Sequence, residues 1–112
     1  DIAALYKTFD VFIHVPVSAD FEAFGQVYIE AMAASVPGIY TLSGIAAEYI
    51  TDHKNAIVVD YKNSEQIYTA IKEYLTDVPL KQAIISTAKE DVLSIFGIDK
   101  MMAALNALYL GA

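Results

Sequence analysis

Arginine is absent from this chain of 112 residues: its seven basic side chains are all lysines, and its formal net charge is −7. Binding to nucleic acid requires a basic face that neutralises phosphates, so this charge balance argues against DNA or RNA as a partner. A bidentate guanidinium contact with a phosphate group therefore has to come from outside this chain.

Cysteine is also absent, which excludes disulfide bonds, thiol catalysis and thiolate metal sites within the chain. No apolar run reaches the roughly 20 residues that a membrane-spanning helix needs, and no signal peptide opens the sequence. The first residue is aspartate rather than methionine, which indicates a processed chain or a piece of a longer one. We predict a cytoplasmic protein, either free or at the inner face of a membrane.

The sequence is instead rich in apolar residues, with 56% hydrophobic and 19% charged residues. A chain of this length buries roughly two thirds of its unfolded surface in one core, so a single domain is expected. Short β-branched and aromatic runs predict strands over 10–15, 38–42 and 56–60. Helical spacing of apolar residues predicts helices over 2–9, 25–35, 46–50, 64–75, 80–96 and 98–110.

The helix beginning near residue 64 has the clearest amphipathic pattern. Ser64 is the predicted N-cap, and Ile67, Ile71 and Leu75 form the predicted buried stripe. The tyrosines and methionines also fall at core spacings and are interpreted as packing residues, whereas Lys54 and Lys62 are expected to be solvated.

The three predicted strands are apolar throughout and are separated by helices, which is typical of parallel strands covered on both faces. The predicted class is α/β and Rossmann-like. A doubly wound sheet usually has five or six strands, so three strands indicate half of such a domain.

The loop over 16–24 follows the first strand and leads into the next helix. In open α/β sheets, ligands bind beyond the carboxyl ends of the strands. The backbone N–H groups of Gly25, Gln26 and Val27 would face such a ligand at the helix N-terminus and suit phosphate oxygens. Glu22 and Glu30 flank this turn, and carboxylates accept hydrogen bonds from hydroxyl groups. A diphosphate with sugar hydroxyls at both ends, as in a nucleotide sugar, fits this arrangement.

The sequence resembles the C-terminal, donor-binding part of the retaining glycosyltransferases of the GT-B fold, a family marked by a Glu-x7-Glu motif. The resemblance runs from the first strand through the final helices. The residues that carry it are Pro16, Glu22, Phe24, Gly25, the "EAMA" run from Glu30 to Ala33, Pro37, Gly44, Glu48 and Asn55.

The resemblance implies a role for each matching position. Glu22 would be the catalytic glutamate that lies against the donor sugar, and Glu30 would hold the ribose hydroxyls. The backbone of Phe24 and Gly25 would contact the sugar, and the amides of Gln26 and Val27 would contact the diphosphate. The donor-binding set is completed by Gly44 and Glu48. The family retains the anomeric configuration and needs no bound metal or other cofactor.

The resemblance also implies that residues 1–112 are the distal half of a nucleotide-sugar-binding domain. The implied partners are a nucleotide-diphosphate sugar and an N-terminal acceptor domain that this sequence does not contain. Ser35 stands where the family usually places a glycine in the left-handed region, a conformation that costs serine about 1 kcal/mol.

Other interpretations stay open. Glu30 is also explained as an ordinary first-turn glutamate favoured by the helix dipole, Glu48 as the end of a short helix, and His14 as a buried or hydrogen-bonded imidazole. The alternative to a transferase is a free-standing, non-catalytic α/β module with weak or no nucleotide binding.

The family's domain predicts the strand order 10–15, 38–42, 56–60 across the sheet. The outer edge of the first strand would then be unpaired, which favours association with another strand. We predict that residues 11–15 of two copies pair as a homodimer.

Overall fold

The computed structural model describes residues 10–18 and 26–109, with side chains up to Ile95. The helix predicted over 2–9 and most of the loop over 16–24 lie outside these residues. In chain order the elements are β1 (Phe12–His14), α1 (Gln26–Ala33), β2 (Gly38–Tyr40), a 3-10 helix (Gly44–Glu48), β3 (Ile57–Val58), α2 (Ser64–Thr76) and α3 (Val78–Tyr109).

The strands form a parallel sheet in the order β1-β2-β3, as the sequence predicts. Phe12 pairs with Gly38, and Ile39 pairs with Ile57. Each strand is shorter than its apolar run. Within the described part of the chain, β1 pairs with β2. The pairing of residues 11–15 with a second copy stays a prediction.

Two helical layers cover the sheet. On one face, α1 and the middle of α3 pack with Tyr40 around Tyr28 and Met32. On the other face, α2 and the start of α3 pack against Ile39 and Ile57. α3 contributes to both layers, since Leu80 and Ile84 pack on the second face and Ala88 and Val92 on the first.

Gly38 and Tyr40 point to the same face of β2, since side chains alternate along a strand. A Cβ atom at Gly38 would lie 2.0 Å from Cζ of Tyr40. The Tyr40 ring is fully buried and meets the Tyr28 ring edge-on, with 4.9 Å between the centroids. A glycine is therefore required here for space.

The end of α1 confirms the expectation for Ser35, whose φ is 64°. The Ser35 amide donates to the Met32 carbonyl at 3.3 Å and the Val36 amide to the Ala31 carbonyl at 3.1 Å. These two bonds and the apolar contact between Val36 and Ala31 form a Schellman motif, which requires a left-handed residue at this position.

Two predictions for α2 are wrong. Asn63, and not Ser64, is the N-cap, because its side chain accepts from the Gln66 amide at 3.0 Å. Leu75 is 68% exposed, while Ala70 and Tyr74 are buried. Starting from the partly buried Ile67, positions 70 and 74 stay on one stripe, whereas position 75 has rotated about 80° away.

Asp77 ends α2 and begins α3. Its backbone amide donates to the Glu73 carbonyl and its carboxylate accepts from the Leu80 amide at 3.0 Å. α3 therefore starts at Val78, two residues before the predicted start. The predicted division into two helices is confirmed at Gly97, whose φ of 74° and ψ of 160° interrupt the helix. No helix in the described residues is long and apolar enough to cross a membrane.

Three backbone amides at β3 and its flanks donate to nearby residues. The Val58 amide donates to the Asp52 carboxylate at 2.9 Å and the Asp60 amide to the Gln66 side-chain oxygen at 2.7 Å. The His53 amide donates to the Ala56 carbonyl at 2.7 Å.

Candidate functional site

The first turn of α1 lies against the chain that follows β2. The hydroxyl of Tyr28, the third residue of α1, donates to the Thr41 carbonyl at 2.6 Å and accepts from the Ser43 amide at 3.1 Å. Thr41 and Ser43 follow directly after β2. The N-terminus of α1 is therefore held at the carboxyl end of the sheet.

The carboxyl end of β1 joins the same cluster. The Thr41 hydroxyl donates to the Pro16 carbonyl at 2.5 Å, and the His14 ring meets the Tyr28 ring edge-on at 5.0 Å. The ends of β1 and β2 and the first turn of α1 thus converge on one point, which is the position where open α/β sheets bind ligands.

Glu30 is 4% exposed and is the fifth residue of α1 as described. The first turn of α1 as described contains no acidic residue, so Glu30 lies just beyond that turn. Gln26 lies one helical turn earlier, four residues before Glu30, on the same side of α1. Gln26 is exposed and Val27 is half-buried, so the helix surface becomes more enclosed from its N-terminus towards Glu30.

Three of the predicted site residues, Glu22, Phe24 and Gly25, lie in the segment 19–25, outside the described residues. Their predicted roles stay predictions. The segment joins Ser18 to Gln26, so it connects the end of β1 to the N-terminus of α1.

Gly44 and Glu48 are the first and last residues of the 3-10 helix that follows β2. Gly44 has a φ of 61°, a conformation that favours glycine, and it comes directly after the Ser43 amide bonded to Tyr28. Glu48 is exposed and ends the short helix, as one of the sequence interpretations expected.

Asn55 holds the chain after the 3-10 helix in place and is 3% exposed. Its side-chain amide donates to the Tyr49 carbonyl and to the Asp91 carboxylate, each at 2.8 Å, and its oxygen accepts from the Thr51 amide at 2.9 Å. Asp91 lies 36 residues away on α3, so these bonds attach the loop to that helix.

The sequence did not predict the structural roles of Tyr28, Thr41 and Asp91. A tyrosine at a core spacing gives no sign that its hydroxyl joins two backbone groups of a distant loop. A threonine immediately after a buried strand is a weak signal, and Asp91 has no local signal because its partner is set by tertiary packing.

A separate open groove of about 560 Å³ lies between β3, α2 and the loop before β3. Its His53 contacts Asp52 at 2.8 Å through Nδ1 and Glu73 at 2.9 Å through Nε2. Partial burial lowers the pKa of His53, but the hydrogen bond to Glu73 and the charges of both carboxylates outweigh it, so the pKa is raised. Within the described residues, no group of three or more His, Asp or Glu side chains is arranged to hold a metal ion.

Several known proteins are similar to this chain in sequence. Residues 1–91 match the family described as glycosyl transferases group 1. An uncharacterised glycosyltransferase of Methanocaldococcus jannaschii is 34% identical over 97 residues, which cover 87% of this chain and 24% of that protein. A GDP-mannose-dependent α-(1-6)-phosphatidylinositol monomannoside mannosyltransferase of Mycobacterium tuberculosis is 34% identical over 86 residues, covering 77% of this chain and 22% of that protein. The chain spans about a quarter of the length of these relatives.

Solved structures confirm the predicted fold class. The C-terminal domain of a glycosyl transferase group 1 family protein from Francisella tularensis has a TM-score of 0.75 at 30% identity, over 88% of this chain and 49% of that one. An Anabaena protein in complex with UDP-glucose has a TM-score of 0.77 at 22% identity, over 94% of this chain and 29% of that one. The three parallel strands and their flanking helices have the same arrangement in these neighbours.

Proposed function

Because this chain belongs to the glycosyl transferases group 1 family, we propose that it is the distal half of the nucleotide-sugar-binding domain of a retaining glycosyltransferase. The complete enzyme transfers a sugar from a nucleotide-diphosphate sugar to an acceptor. An acceptor domain and the earlier half of the nucleotide domain come from other parts of the protein. The enzyme works in the cytoplasm, either free or at the inner face of a membrane, and its site needs neither a metal ion nor a further cofactor.

The observation that carries the proposal is the convergence of the ends of β1 and β2 with the first turn of α1, next to the buried Glu30. Helix N-termini attract phosphate because their first amides have no partner within the helix. In this proposal the amides of Gln26 and Val27 bind the diphosphate, and Glu30 accepts hydrogen bonds from the ribose hydroxyls.

The remaining roles follow from the Glu-x7-Glu motif formed by Glu22 and Glu30. Glu22 is the catalytic residue that contacts the donor sugar, and the backbone of Phe24 and Gly25 binds the same sugar. Gly44 and Glu48 border the donor on the side of β2. The chain has no arginine, so any guanidinium group that balances the diphosphate charge belongs to another part of the enzyme.

The test measures binding of UDP-glucose and of GDP-mannose to the complete protein by isothermal titration calorimetry. Glu30→Gln removes a charged acceptor but keeps the shape of the side chain, and a hydrogen bond to a charged group contributes about 1.5 to 3 kcal/mol. We therefore expect the Kd of the bound nucleotide sugar to rise by roughly 10- to 150-fold.

The matched control is Glu90→Gln, which neutralises an exposed glutamate on α3 and should leave the Kd unchanged. Unchanged affinity in the Glu30 variant would contradict the ribose role. A wild-type protein that binds neither nucleotide sugar would contradict the proposed function and favour the non-catalytic module.

A further inference from the structure

The Tyr28 hydroxyl joins α1 to both residues that flank Leu42 after β2. It donates to the Thr41 carbonyl and accepts from the Ser43 amide, so its donor and one of its acceptor sites are used on the same loop. Any rotation of this loop that moves either backbone group away from the hydroxyl breaks one of the two bonds. The hydroxyl therefore fixes the orientation of the loop as well as its distance from α1.

We propose that Tyr28 is a positioning residue of the donor site. Its hydroxyl sets the Ser43–Gly44 backbone at a fixed distance from the first turn of α1, so that both segments meet one ligand. This inference rests on the proposed function, which places Gln26 and Val27 on one side of the donor and Gly44 on the other. Tyr28 itself is fully buried and acts through the two segments that it joins.

The alternative is that Tyr28 only fills the core. Its ring meets the rings of His14 and Tyr40 edge-on, at 5.0 Å and 4.9 Å between centroids, and a phenylalanine ring would make the same contacts. The hydroxyl separates the two explanations, since packing does not require it and positioning does.

The chain contains a matched control for this hydroxyl. Tyr74 is 1% exposed. Its hydroxyl also donates to a backbone carbonyl of β2, the Gly38 carbonyl, at 2.6 Å. Gly38 begins β2, whereas Thr41 follows its end. Tyr28→Phe and Tyr74→Phe thus remove the same group from buried tyrosines at opposite ends of one strand.

The experiment measures the Kd of UDP-glucose and GDP-mannose for the complete protein and for both variants by calorimetry. It also measures hydrogen exchange without ligand over residues 41–46. We expect Tyr28→Phe to weaken binding of the nucleotide sugar about fivefold to tenfold and to speed exchange at Ser43 and Gly44. Tyr74→Phe should lower the melting temperature while leaving the Kd within about twofold of the wild type.

Equal effects of the two variants on the Kd would show that the Tyr28 hydroxyl only stabilises the fold. An unchanged Kd in Tyr28→Phe would show the same. These results overturn the inference and leave the proposed function intact, because the wild type still binds. Failure of the wild type to bind either nucleotide sugar overturns both. Unchanged hydrogen exchange at Ser43 and Gly44 in Tyr28→Phe overturns the positioning role whichever nucleotide sugar the protein binds.

Discussion

Replacing Asn55 should loosen the loop between the 3-10 helix and β3 more than any exposed substitution in that loop. Asn55→Ala removes three hydrogen bonds, to Tyr49, Thr51 and Asp91. Bonds between neutral groups contribute about 0.5 to 1.5 kcal/mol each, and a bond to a carboxylate about 1.5 to 3 kcal/mol. Asp91 is half-buried and regains water in the variant, so we expect a loss of about 2 to 4 kcal/mol.

Hydrogen exchange followed by mass spectrometry tests this value in the complete protein. Amides over residues 49–55 should exchange roughly 30- to 1000-fold faster in Asn55→Ala, because each 1.4 kcal/mol changes the opening constant about tenfold. Amides in the middle of α2 serve as the internal reference and should be unaffected. Exchange within about threefold of the wild type over residues 49–55 would refute the assigned network.

Asn55→Asp tests the importance of the hydrogen-bond donors of Asn55. The new carboxylate keeps an acceptor for the Thr51 amide but faces the Tyr49 carbonyl and the Asp91 carboxylate, where the amide had donated. Like charges this close raise the pKa of one carboxyl group, so the variant gains stability as the pH falls and loses it as the pH rises. It should be less stable than Asn55→Ala at pH 8 and should recover at pH 5, and the opposite order would show that the Asn55 donors are unimportant.

Three further predictions concern the described core and the groove beside β3. Ser35→Gly should raise the free energy of unfolding by about 0.5 to 1 kcal/mol, since glycine adopts the left-handed conformation without strain; a loss of stability in urea unfolding would contradict the Schellman motif. Gly38→Ala should lower the melting temperature through its clash with Tyr40, at a cost of at least about 1 to 3 kcal/mol, and a neutral effect would show that the Tyr40 ring moves freely. The raised pKa of His53 means that its contribution to stability is complete below its unfolded value near 6.5 and is lost as the pH rises through the higher folded value. His53→Gln should therefore abolish a small fall in stability as the pH rises above about 6.5, and an identical pH profile in both proteins would refute the ion-pair role.

The parallel sheet could be predicted from the sequence because each strand is a short apolar run between helices, a pattern that requires burial on both faces. The family resemblance placed the Ser35 conformation, and helical spacing placed the break at Gly97. Local rules failed where two neighbouring residues were both chemically suitable. Asn63 and Ser64 are both good N-caps, and the geometry of the preceding turn decides between them.

The candidate site was predictable only in part. The position of Glu30 on the helix after β1 follows from chain order, but its burial depends on how α1 and α3 pack. The bonds of Tyr28 to Thr41 and of Asn55 to Asp91 join residues 13 and 36 positions apart, and periodicity carries no information about such pairs. Glu22, which bears the proposed chemistry, lies outside the described residues.

The side-chain bonds along β3 hinder the addition of a further strand at this edge of the sheet. A strand arriving at this edge has to displace Asp52 from the Val58 amide and Gln66 from the Asp60 amide. Head-to-tail stacking, in which β1 of one molecule joins β3 of the next, would propagate into a filament, because such a contact leaves a fresh edge at each end. Asp52 and Gln66 therefore make the described edge of β3 a poor template for a further strand. The pairing predicted between residues 11–15 of two copies is a two-fold contact, and a contact of that kind closes without propagating.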